Sequence, residues 1–283
     1  MITIESAQAL PALPPFTVVI ATQGTPDKLQ LTQQCSQLWV EGLSDVGCSP
    51  IVIAAAGKPS ITQAYNETIS SITTPYVVLS HNDAFPPVRL GRKVGQRILD
   101  HMTKHNLSLA GFCGSSKMIG ARWQDAVNHL FGAVLNVPVP NGQPQPLSAV
   151  LWRRPARVIT GMRALDGYCL VARTEDLKAH PFDTRYPSWH MYDVDIAATF
   201  YEAGLRTAVL ADVSILHQSV VGYSDPQWAK EISLFTEKWR GKGDLVALGV
   251  GTGPSQVQSA DPNLILQHLE HLEKDMLPIC LGD

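Results

Sequence analysis

Cysteine is scarce and unpatterned: five residues, Cys35, Cys48, Cys113, Cys169 and Cys280, in a chain of 283. The count is odd and no Cys-x-x-Cys pair occurs, so neither a disulfide framework nor a thiolate zinc site is expected. The mostly apolar surroundings of these residues indicate buried thiols in a reducing compartment. No apolar run approaches the ~20 residues needed to span a bilayer. The first residues, Met1 to Ser6, lack the basic region of a signal peptide. The expected location is therefore cytoplasmic, with peripheral membrane contact left open. An excess of positive charge is also missing: 22 Lys and Arg face 25 Asp and Glu, a net charge of -3. That argues against nucleic acid as the main partner, though it permits a local basic patch. No Gly-x-Ser-x-Gly elbow and no P-loop occur, which removes the common hydrolase and NTPase designs. Gly249, Gly251 and Gly253 lack dinucleotide-fingerprint spacing and mark a flexible join. His268 and His271 flank Glu270 without metalloprotease spacing and read as a solvated helix face.

What is present is an ordinary globular composition, 45% hydrophobic and 17% charged, long enough for one large α/β core with or without an appendage. Met1 to Pro15 reads as an irregular leader. Thr17–Ala21 is a buried strand, 27–42 a helix, and Pro50–Ala56 a second strand. Ser60 can cap a helix to about Ser71. Tyr76 to Leu79 is a third strand, β-branched and aromatic, as in a strand buried on both faces. This alternation predicts parallel pairing with right-handed crossovers. A helix from about Val88 to His105, with Arg89, Arg92 and Lys93 in its first turns, leads to a strand over Leu107–Cys113. Residues 120–157, rich in proline, read as irregular. Ala164–Ala172 is a strand, 175–179 a short helix, Ile196–Ala203 a helix closed by Gly204, Thr207–Val213 a strand, and 227–239 an amphipathic helix. Asn263 to Met276 forms a last helix, able to pack on its own domain or to mediate a homodimer.

Polar residues collect at strand ends, where open α/β sheets bind ligands. Leu79 and Ser80 run into His81, Asn82 and Asp83, and Pro86 and Pro87 stop the strand. Asp83 offers a hard oxygen ligand and His81 an imidazole two residues earlier. A solvated aspartate in a turn is the plainer reading of the same stretch. Tyr192-Asp193-Val194-Asp195 precedes a helix, where an Asp also serves simply as a cap. His217 ends a late strand, a place where structural histidines are common.

Taken in order, these motifs resemble the family 2-type glycosyltransferases of the GT-A fold, and among them the small bacterial glycosyltransferase-like group whose metal motif begins with His. The resemblance runs from about Thr17 to Trp239. It is carried by Ser60 to Asn66, His81-Asn82-Asp83, Asp166-Gly167 with Val171-Ala172-Arg173, Phe182-Asp183, Asp193 with Asp195-Ile196 and Gly204, His217, and Lys238-Trp239. Two departures stand out: His81 replaces the usual first Asp, and Tyr192 replaces the usual Glu before the base.

The resemblance implies a Rossmann-like, mostly parallel sheet flanked by helices over residues 1–245, with a C-terminal linker and helix over 246–283. It implies transfer of a sugar from a UDP- or GDP-sugar to a glycan or other hydroxyl acceptor, with inversion. A divalent cation, Mn²⁺ or Mg²⁺, would be held by Asp83, His217 and His81. Asp193 is the expected general base and Asp195 the reserve. Thr22, Gln23 and Gly24 at the first strand end, and Lys58 after the second, are expected at the nucleotide, together with Asn66, Ser80, His81 and Asn82. Asp166 and Gly167 would border the donor sugar. Trp189, His190 and Trp123 are candidates for stacking on an acceptor, or for burial in the core. Two other functions compete: a sugar-nucleotidyltransferase, which would carry a Gly-rich basic loop unlike residues 21–28, and a non-catalytic nucleotide- or glycan-binding module on the same scaffold.

Overall fold

The computed structural model describes residues 14–22, 24–54, 60–88, 91–118, 122–137, 147–218, 226–242 and 255–259. Residues 1–13 of the leader, Gln23, Lys58, the 249–253 glycines and the expected helix over 263–276 lie outside the described residues. The elements run β1 (Phe16–Ala21), α1 (Pro26–Gly42), β2 (Cys48–Ala54), α2 (Ile61–Ser70), β3 (Tyr76–His81), β4 (Ala84–Phe85), α3 (Gly95–Lys104), β5 (Leu109–Gly111), β6 (Cys113–Ser115) and β7 (Leu130–Asn136). They continue with β8 (Leu147–Leu151), β9 (Val158–Thr160), β10 (Ala164–Leu165), β11 (Cys169–Arg173), α4 (Thr174–Ala179), α5 (Tyr192–Glu202), β12 (Thr207–Leu210), β13 (Leu216–His217), α6 (Pro226–Lys238) and β14 (Ser255–Ser259).

The main sheet has seven strands in the order β2-β1-β3-β11-β5-β12-β9. Its parallel block is β2, β1 and β3, built by the strand–helix alternation of the N-terminal third. β11 then inserts antiparallel between β3 and β5, so the sheet is mixed. Every residue of β1 is buried, as a strand covered on both faces requires. Ser60 caps α2 as expected, its Oγ accepting the Gln63 amide at 3.1 Å. Gly204 follows α5 with φ +73°, the left-handed conformation that closes a helix.

A second sheet, β10-β6-β7-β13-β4, carries β8 on β7 and β14 on β8. Part of it lies where the prolines between 138 and 146 had suggested irregular chain: Leu130–Asn136 and Leu147–Leu151 pair antiparallel. Ser255–Ser259 extends that ribbon, within a stretch expected to be linker. Three other boundaries differ from the sequence reading. The helix expected from Val88 begins at Gly95, because Gly91 reverses the chain at φ +71° and Val94 is not helical. The strand expected over 164–172 breaks at Asp166-Gly167 into β10 and β11. The α5 helix begins at Tyr192, so Asp193 and Asp195 sit inside its first turn, and Met191 occupies the cap position at φ +57°. Among the described residues no helix is long and apolar enough to cross a membrane. Cys35, Cys113 and Cys169 are buried free thiols.

Candidate active site

The ends of β3 and β13 meet. β13 pairs antiparallel with β4, setting His217 opposite Ala84, one residue past Asp83. The Gln218 amide donates to the Asp83 carbonyl at 2.8 Å, which locks the two ends together. The turn between β3 and β4 is fixed from behind. Ser80 Oγ donates to the Ala84 carbonyl at 2.8 Å, and Trp39 Nε1 donates to the same oxygen at 2.9 Å. Ser80 is fully buried. Its hydroxyl therefore shapes the turn that carries Asp83 and does not face a ligand, contrary to the sequence expectation.

This arrangement brings His81, Asp83 and His217 together, with one ligand atom from each within 4.8 Å of the others. His217 Nε2 stands 3.5 Å from Asp83 Oδ1. Both atoms are buried, and neither has a hydrogen-bond partner. Buried polar atoms are almost always paired, and an imidazole and a carboxylate oxygen left facing one another form a donor set suited to a divalent cation. The residues present thus fit a metal ion. Burial would raise the Asp83 pKa, but His217 and His81 beside it outweigh that effect and hold the carboxyl below its ordinary value. Burial lowers His81 to about 4, so this imidazole is neutral at pH 7.

The neutral His81 ring is oriented by a partner that sequence reasoning missed. Its Nε2 lies 2.7 Å from the Tyr192 hydroxyl, and that hydroxyl donates to the Gly167 carbonyl at 3.0 Å. With the phenol proton spent on Gly167, the proton between the two side chains belongs to His81 Nε2. His81 Nδ1 then keeps its lone pair, as a metal-binding histidine does when its other nitrogen is engaged. Aromatic contacts hold Tyr192 itself: Tyr65 and Phe182 lie 6.2 and 5.9 Å from it, centroid to centroid. Asn66, expected at the nucleotide, serves this packing instead. Its amide nitrogen donates to the Phe182 carbonyl at 2.8 Å, and its oxygen accepts the Phe182 amide at 2.9 Å.

Gly167 is gripped at both ends of its residue. Its carbonyl accepts from Tyr192, and its amide donates to Asp193 Oδ2 at 2.7 Å. The other carboxylate oxygen of Asp193 accepts the Val194 amide at 2.8 Å. A Cβ on Gly167 would lie 2.5 Å from the Tyr192 hydroxyl and 2.6 Å from Asp193 Cβ, so only glycine fits. Asp166 completes the group, with Oδ1 accepting the Tyr168 amide at 3.2 Å. Burial first, and the neighbouring Asp166 carboxylate second, push Asp193 up to about 7. Asp166 is raised by burial as well, with His217 opposing. The two carboxyls share an environment that disfavours double ionisation near neutrality.

Asp195, the reserve base, is committed elsewhere. Its carboxylate accepts from Lys238 Nζ at 2.7 Å, Trp239 Nε1 at 2.8 Å and the Tyr186 hydroxyl at 3.2 Å. It anchors the end of α6. At the end of β1, Thr22 Oγ1 accepts the Gly24 amide, and the Asn82 amide nitrogen also reaches it, each at 3.4 Å. Thr22, Gly24 and Asn82 therefore share one patch beside His81 and Asp83, while Gln23 and Lys58 lie outside the described residues. Trp189 meets His81 edge-on at 5.4 Å, and Trp123 pairs with Trp152 at 5.3 Å within the core.

Residues 33–237 match the model of a glycosyltransferase-like family. The chain belongs to that family. Membership makes it a transferase, in keeping with the glycosyltransferase resemblance drawn from the motifs. No curated protein matches the chain significantly. Solved structures similar to it include a mannosyltransferase of Pyrobaculum calidifontis in complex with GDP-Man and Mn²⁺, at 13% identity and TM-score 0.46, covering 96% of this chain and 74% of that one. Another is S. aureus TarS 1-349, at 11% identity and TM-score 0.46, covering 82% and 67%. A third is GalNAc-T7 with UDP, GalNAc and Mn²⁺, at 10% identity and TM-score 0.48, covering 82% and 49%.

Proposed function

We propose that this member of the glycosyltransferase-like family is a GT-A-type enzyme that moves a sugar from a UDP- or GDP-sugar to an acceptor hydroxyl, with inversion. Asp193 takes the acceptor proton as the hydroxyl oxygen bonds to the anomeric carbon. The bond from that carbon to the diphosphate oxygen breaks, and its electron pair leaves with the nucleoside diphosphate. Asp83, His217 and His81 would hold a divalent cation, Mn²⁺ or Mg²⁺, with the imidazole ligands favouring Mn²⁺. Bound there, the cation would neutralise charge on the departing diphosphate. Thr22, Gly24 and Asn82 border the nucleotide, as do Gln23 and Lys58 in this reading, and Asp166 and Gly167 border the donor sugar. The transferase unit takes in residues 1–245 and the strand Ser255–Ser259 that joins its second sheet, and it works in the cytoplasm.

The observation that carries this reading is the pair of buried, unpartnered atoms, Asp83 Oδ1 and His217 Nε2, facing each other beside His81. The test is a screen of nucleotide-sugars for donor hydrolysis and transfer, with Mn²⁺ and with chelator. Asp83→Ala and Asp193→Asn should each lower turnover by about 10²-fold or more. Full rates in both variants overturn the reading. Metal-dependent nucleotide binding without turnover identifies a binding module instead.

A further inference from the structure

A cavity of about 320 Å³ opens where the chain turns into α3. Arg92, Lys93 and Arg97 line it, with Ser214 across from them. We propose that it is a phosphate-binding site, separate from the metal cluster, which seats a phosphate borne by the acceptor.

Among the lining residues cations outnumber carboxylates. Three cations line the cavity against one carboxylate, Asp212. That carboxylate is turned into the fold: its side chain is 6% exposed, and Oδ1 lies 2.8 Å from His101 Nε2. Arg97 reaches only the Asp212 carbonyl, donating from one guanidinium nitrogen at 2.7 Å, so its other donors stay available. Among the described residues neither Lys93 nor Arg97 forms an ion pair. The positive-φ turn at Gly91, which replaces the expected first turns of the helix, puts Arg92 and Lys93 at the mouth of the cavity beside Arg97. The Arg97 guanidinium fork and the Lys93 ammonium at one opening, with Arg92 adding to the positive charge around them, suit a dianionic phosphate better than a single carboxylate. The volume falls in the range of sites that take a small ligand.

The position links the cavity to the metal cluster. Its lining residue Pro87 lies four residues beyond Asp83, just past β4, and Ser214 lies three before His217, just ahead of β13. The two strands pair with each other, and the segments that leave the pair lead to the cavity. At ~3.3 Å per residue these spacings keep the cavity lining within about 10–13 Å of Asp83 and His217. A hydroxyl presented at Asp193 and a phosphate in the cavity can therefore belong to one acceptor. That last assignment rests on the proposed transfer, whereas phosphate binding at the cavity does not.

The experiment uses the full chain with chelator and no nucleotide-sugar. Calorimetric titration with inorganic pyrophosphate should show binding that weakens about tenfold or more in Lys93→Glu and in Arg97→Ala, and that persists in Asp83→Ala. Lys93→Glu is the safer variant, because among the described residues Lys93 makes no ion pair that folding would miss. Sedimentation with phosphatidylcholine vesicles, with and without phosphatidic acid, separates the sources. Capture only by the phosphatidic acid vesicles, abolished by Lys93→Glu, identifies a lipid-borne phosphate, whereas pyrophosphate binding without capture identifies a soluble one. Failure to bind either probe, or binding unchanged in both cavity variants, overturns the site. If binding behaves as expected and donor turnover is absent, the cavity stands and the transferase reading falls.

Discussion

The Gly167 amide donates to Asp193 Oδ2 at 2.7 Å while the Gly167 carbonyl accepts from Tyr192 at 3.0 Å. One glycine thus ties the carboxylate of α5 to the tyrosine that orients His81. The position of the expected base and the orientation of a metal-site imidazole are set by the same backbone.

Gly167→Ala should therefore damage two functions at once. The new methyl would lie 2.5 Å from the Tyr192 hydroxyl and 2.6 Å from Asp193 Cβ, both on the buried start of α5. Overpacking of this kind costs about 1–3 kcal/mol. Thermal unfolding should report that loss, and Mn²⁺ affinity and turnover should fall together in the protein that remains folded. Wild-type stability with wild-type Mn²⁺ affinity would show that α5 moves aside freely and that the coupling does not exist.

The carboxyl of Asp193, pushed up to about 7 by burial and by Asp166, makes a signed pH prediction. A base must be ionised, so transfer should rise as pH passes through about 7 and level off above it. Stability runs the other way. A carboxyl whose folded pKa is raised favours the fold fully below its unfolded value near 4 and loses that contribution as pH climbs through about 7. Asp193→Asn should flatten the stability decline over that window and abolish the rising limb of the rate. A rate profile flat from about pH 6 to 8 would remove Asp193 as the titrating base.

Much of this was legible from local pattern. Apolar runs ending in polar residues marked β1 and β3, and the same ends yielded His81, Asp83 and His217, which the structure gathers within 4.8 Å. A strand must stop somewhere, and the residues that stop it are visible. The β7–β8 ribbon was hidden because the prolines between its strands dominate the window, although the strands themselves are regular. The start of α3 was misread because basic residues with good helix propensity follow Val88, while Gly91 and Val94 decide the backbone. Ser80 and Asn66 have the chemistry of ligand contacts, yet the fold uses both to brace backbone. Tyr192 stood out only as a departure from the family motif; its pairing with His81, 111 residues away, was not legible, because nothing in a local pattern records that contact.

Tyr192→Phe removes that contact together with the hydrogen bond to the Gly167 carbonyl. It removes one oxygen from a buried ring held by Tyr65 and Phe182, so the packing survives. His81 would lose the partner that fixes its ring, and losses of this kind lower metal affinity about 10–100-fold. Mn²⁺ titration without donor measures the effect directly, free of any contribution from turnover. Unchanged Mn²⁺ affinity would leave Tyr192 a packing residue only.

Asp195 should behave as an anchor. Its carboxylate is nearly fully buried and receives Lys238, Trp239 and Tyr186, two of them on or just after α6. Burial raises its pKa, and Lys238 only partly opposes that, so the charge is tolerable only while the pair is intact. Asp195→Ala leaves the Lys238 ammonium with Asp183 alone and strands the Trp239 indole N–H. Breaking a buried pair by deleting one partner costs about 3–5 kcal/mol, and because Lys238 is 23% exposed and keeps its pair with Asp183 the loss should sit at or below the low end. Denaturant unfolding should therefore show a large stability loss, with turnover per folded molecule close to wild type at low temperature. Normal stability with turnover reduced as far as in Asp193→Asn would instead make Asp195 the base.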